Sequence, residues 1–82
     1  MPLFTYTINQ GEVTRTFQMR KSNPQGWLPE AVIATFPEMA SRLGHDIWRI
    51  RLEPVEGAPQ TWRASHRDER GHLSIFVTET NK

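Results

Sequence analysis

The chain contains no cysteine, which excludes disulfides and thiolate zinc sites and leaves the fold without a covalent staple. It also lacks any apolar run approaching the length needed to cross a bilayer. The opening segment Met1-Pro2-Leu3-Phe4-Thr5 has neither the basic nor the apolar region of a secretory leader. These absences together favour a cytoplasmic protein that makes no use of a membrane. An excess of one charge is missing too. Ten basic residues face nine acidic ones for a net charge of +1, far from the balance of a dedicated nucleic-acid binder.

Catalytic signatures are equally scarce. There is no HExxH, no GxSxG elbow and no glycine-rich phosphate loop. Ser65, His66 and Asp68 supply a triad by composition, but successive strand residues point to opposite faces, so Ser65 and His66 do not meet. A metal would need His45, His66 and His72 to converge with Asp46, Asp68 or Glu69, and no ligand spacing brings them together. The expectation is a protein without cofactor or metal, and not an enzyme. A small hydrolase or nuclease toxin working with Arg and His ranks last among the readings.

What is present is enough for one domain spanning residues 1–82. Hydrophobic residues make up 37% and charged residues 23% of the chain, the composition of a folded domain rather than a disordered one. Three Trp, four Phe and one Tyr provide bulky core material. Eight of the ten basic residues are Arg, whose guanidinium tolerates partial burial and pairs with planar anions better than an ammonium does.

Periodicity divides the chain. Phe4, Tyr6 and Ile8 alternate with Thr5 and Thr7, and after a turn containing Gly11 the alternation resumes over Val13, Arg15, Phe17 and Met19. This is a β-hairpin. Asn23-Pro24-Gln25-Gly26 reads as a type I turn. From Pro29 to Leu43 the period becomes helical: Val32, Phe36, Met39 and Leu43 form one stripe, widened by Ile33 and Ala40. Pro37 interrupts it, and Thr35-Phe36-Pro37-Glu38 has the form of a capping box, so two short helices joined near Thr35 are expected. Gly44 is placed to end the second. Three further strands follow, over Trp48–Leu52, Trp62–Arg67 and Leu73–Thr78, with a charged turn at Asp68-Glu69-Arg70-Gly71.

The resulting order is β-β-α-β-β-β, an α+β fold with a five-stranded antiparallel sheet and one kinked or broken helical segment on one face. One segment of that length does not cover five strands. Either the sheet coils around it, or another molecule, a second copy of the chain included, covers the rest.

Strand register concentrates chemistry on the other face. Setting Leu52 opposite Trp62 puts Ile50 opposite Ala64 and Trp48 opposite His66, all inward, with Arg51 opposite Arg63 outside. Setting Ala64 opposite Ile75 places Arg63 beside Phe76. Arg49, Arg51, Arg63 and Phe76 then form an outward cluster with no acid in its row, suited to an anion or a partner. A solvated charged face is the plainer account of the same residues. Trp27, beside Gly26, is a candidate interface anchor, against the plainer role of stapling the helix entry. The expected function is a small protein-binding module, a regulator or inhibitor of another protein. The alternative is a nucleic-acid binder using the Arg-rich sheet face.

Overall fold

Alternation in the first twenty residues becomes two paired strands in the computed structural model, which describes residues 2–68 and 71–80. Strand β1 (Leu3–Gln10) and strand β2 (Val13–Arg20) run antiparallel in one unbroken register from Leu3↔Arg20 to Gln10↔Val13. The two-residue turn between them has Gly11 at φ +61°, the first central position at which a tight hairpin needs a left-handed residue.

The helical stretch breaks in two, as Pro37 dictates. Helix α1 (Leu28–Thr35) and helix α2 (Pro37–Leu43) are separated by Phe36 at φ −134°, ψ 71°. A residue before proline is pushed out of the helical region, and Pro37, without an N–H, suits a first helical turn. The expected capping box does not form, and Phe36 rather than Thr35 caps α2. The Thr35 hydroxyl instead donates back to the Ala31 carbonyl at 2.8 Å, which satisfies a buried polar group within α1. Arg15 of β2 closes over the break: its guanidinium lies 4.7 Å from the Phe36 ring centroid and donates to the Thr35 carbonyl.

The expected strand over Trp48–Leu52 is the one element that does not form. Residues Gly44–Arg49 make a 3₁₀ helix, and strand β3 is reduced to Glu53–Pro54. In a turn of three residues, positions three apart lie on one side. Ile47 and Ile50 are accordingly both buried, while Trp48 points out. Strand β4 (Thr61–Asp68) and strand β5 (Gly71–Thr80) complete the sheet, in the order β2-β1-β5-β4-β3 with every described pair antiparallel. The β4–β5 register is the expected one, with Ala64↔Ile75, Trp62↔Val77 and Arg63↔Phe76. That of β3 differs, with Glu53↔Arg63 and Pro54↔Trp62 in place of Arg51 opposite Arg63 and Leu52 opposite Trp62. The tip of the β4–β5 turn, Glu69-Arg70, lies outside the described residues.

The core fills the space between one sheet face and the helical layer. Phe4, Tyr6, Ile8, Leu73, Ile75 and Val77 meet Leu28, Val32, Phe36, Met39 and Leu43, and Ile47 and Ile50 of the 3₁₀ region extend the cover. Trp62 packs edge-on against Phe4, ring centroids 5.9 Å apart. This third covering piece adds to a single helical segment, and Phe17, Trp62 and Ala64 of the inner face stay only partly buried. Among the described residues, Val13 at the β2 edge is the only large apolar side chain of the inner face left exposed. No helix among the described residues is long and apolar enough to cross a membrane.

Candidate functional sites on opposite faces

The connector between β2 and α1 organises the helical side. Buried Tyr6 donates its hydroxyl to the Pro24 carbonyl at 2.6 Å, which ties the connector to the central strand. Burial, reinforced by the negative charge of Glu30, pushes the Tyr6 phenol up to about 12. The Asn23 side chain accepts from the Gly26 N–H at 2.6 Å, a local turn that fixes where Trp27 leaves the chain. Lys21 places its ammonium 4.0 Å from the Trp27 ring centroid.

Trp27 is 39% exposed, as an anchor requires, and it does not stand alone. Ile33 was expected to widen the buried stripe but is 55% exposed, and Trp48, expected in the core, is 62% exposed. With Gly26, Pro29 and Glu30 these three line a groove of about 340 Å³. Among the described residues its only ionisable lining residue is Glu30, and that carboxylate forms no ion pair with them. Two signals in the sequence point to this groove. Ile33 follows Val32 on the helix and so lies about a quarter turn off the buried stripe. Ile47 and Ile50, three apart, claim the interior that alternation had allotted to Trp48.

On the open side of the sheet, one complete row crosses all five strands: Thr16, Thr7, Phe76, Arg63 and Glu53. Phe76 is 49% exposed. Around it a depression of about 390 Å³ is lined by Arg51, Glu53, Arg63, Ser65 and Ser74. Of the expected cluster, Arg51, Arg63 and Phe76 come together. Arg49 does not join them, because the 3₁₀ helix carries it away to an exposed pair with Asp46 at 3.4 Å. The row also has an acid, contrary to expectation, since the shifted register sets Glu53 across from Arg63.

Arg51 is held outward by a side chain rather than by a strand. The Gln25 amide donates to the Ile50 carbonyl at 2.9 Å and accepts from the Leu52 N–H at 2.6 Å. One side chain thereby satisfies the backbone on both sides of Arg51 and continues the sheet edge beyond β3. Neither Arg51 nor Arg63 forms an ion pair with the described residues.

Among the described residues no three His, Asp or Glu side chains group in a way that could hold a metal ion. No family model, curated protein or solved structure matches the chain.

Proposed function

We propose that the protein is a non-enzymatic, cytoplasmic protein-binding module that regulates or inhibits a partner held in the Trp27–Ile33–Trp48 groove. The observation that carries this reading is the groove itself: two indoles and an isoleucine exposed together beside one carboxylate that forms no ion pair with the described residues. Interface cores are enriched in aromatic side chains and depleted in charge, and Trp is prominent among the residues that dominate binding energy. Charge complementarity specifies the occupant. It is an apolar segment of another protein that carries a Lys or Arg to meet Glu30, because a carboxylate desolvated without a partner weakens binding.

Selection from a displayed peptide library tests this, with Trp48→Ser and Glu30→Lys as counter-targets. Selected peptides should combine apolar residues with a Lys or Arg. Trp48→Ser should weaken them about 30-fold, the loss of a hot spot of ~2 kcal/mol. Glu30→Lys should reject them and accept versions in which the basic residue is replaced by Glu. Peptides that bind Trp48→Ser as well as the original protein, or an absence of selected sequences, would refute the reading.

A further inference from the structure

The open sheet face holds an arrangement that protein binding at the opposite groove does not use. Phe76 is the only large apolar side chain on this face, among the described residues, that is exposed. Its cross-strand neighbours are Thr7 and Arg63, and Ser74 and Thr78 flank it along β5. An aromatic ring set alone among hydroxyls gains nothing from apolar neighbours, and its free face is a stacking surface. Beside it, Arg51 and Arg63 bring two guanidinium groups to the depression against the one carboxylate of Glu53. The balance of these side chains is a single positive charge.

We propose that this depression binds single-stranded nucleic acid through one nucleotide unit. The base stacks on Phe76, and the phosphate lies between Arg51 and Arg63. Glu53 accepts from a sugar hydroxyl or a base amino group, and Ser65 and Ser74 supply further hydrogen bonds. Every base has a π-face, so stacking of this kind tolerates different sequences. The charge balance favours a strand over a free nucleotide, since a phosphodiester carries one negative charge and a terminal phosphate carries more. The surface also continues past Phe76 as the hydroxyls of Thr7, Thr5 and Thr78, which leaves room for the neighbouring nucleotides of a strand. A duplex has its bases stacked inside and offers this ring nothing.

The test is fluorescence anisotropy of labelled ten-nucleotide DNA and RNA oligomers, measured from 50 to 200 mM salt. One phosphate contact gives a logarithmic salt slope of about −0.7, so affinity should fall about 2.6-fold over that range. Phe76→Thr introduces a residue type already common on this face and should weaken binding between about 5- and 150-fold, the contribution of one stacked base. Reversing Arg51 and Arg63 to Glu should abolish binding. Trp48→Ser, on the other side of the molecule, should leave it unchanged, so failure here and failure of the groove are separately visible. Absence of binding at 50 mM salt would overturn the proposal. So would a folded Phe76→Thr variant, checked by circular dichroism, that binds as the original does. Competition by AMP at the oligomer's own affinity would overturn the assignment to a strand.

Discussion

The two sides of the molecule expose aromatic residues in different company. On the helical side Trp27 and Trp48 share a groove with Ile33, built on short elements whose ends are set by prolines and a 3₁₀ turn. On the sheet side Phe76 stands alone in a polar row that crosses five hydrogen-bonded strands. Grouped apolar side chains gain by excluding water over an area, whereas an isolated ring beside guanidinium groups gains by stacking. Under the two proposals, the same residue class serves an apolar partner segment on one face and a planar, charged ligand on the other.

Adjacent residues on β5 sharpen that contrast most. Ile75 is fully buried and Phe76 half exposed, one on each side of the same strand. Ile75→Ala should cost about 2–5 kcal/mol, a large part of the stability of a domain this small. Phe76→Thr should change stability by no more than about 0.5 kcal/mol, despite removing the larger side chain. Denaturant titration of both variants measures the difference. Equal losses would mean that the open face is packed as tightly as the core.

The Tyr6 phenol provides the next effect, of about 3 kcal/mol. Its value is raised from 10.0 to about 12 in the folded protein. Below pH 10 both states carry the proton and the contribution is fully present. Between pH 10 and about 12 the unfolded chain has released it while the folded chain keeps it, so stability falls across that window. Tyr6→Phe should lose the hydrogen bond to Pro24 at neutral pH and flatten the decline at high pH, as read by melting temperature against pH.

Gln25 offers the smallest of the three. It serves both faces, because the connector that presents Trp27 also holds the backbone around Arg51. Gln25→Ala should cost about 1–3 kcal/mol, since two backbone groups lose their partner. Hydrogen exchange should rise at the Leu52 amide while the amides paired between β1 and β5 stay protected. Uniform loss of protection would instead make Gln25 part of the global core.

Much of this architecture is legible in the residues. The hairpin, the break at Pro37 and the β4–β5 register follow from a period of two, a missing N–H and the need to keep Ala64 and Ile75 on one face. The third strand is not legible, for a physical reason. Trp48-Arg49-Ile50-Arg51-Leu52 alternates as a strand does, but Ile47 and Ile50 also fit a 3₁₀ turn, and local pattern does not decide between them. Burial of Ile47 and Ile50 in the common core goes with the 3₁₀ turn, and that is a tertiary contact. Its consequences run through both candidate sites: Trp48 leaves the core for the groove, Arg49 leaves the cluster, and Glu53 enters it. Trp27 was legible as a candidate anchor because it follows a turn, whereas Ile33, a quarter turn off the buried stripe, was assigned to that stripe by its place next to Val32.

The neighbours of β1 are the hairpin partner that follows it at once and a strand made some sixty residues later. During synthesis the hairpin can close as soon as it emerges, but its inner edge stays open until β5 arrives. Non-local pairing of this kind slows folding and leaves an adhesive strand edge waiting. Because β5 also carries the pairing to β4, a chain ending before Gly71 would retain two unconnected pieces of sheet. Strand β5 is therefore the one that turns the earlier parts into a single cooperative unit.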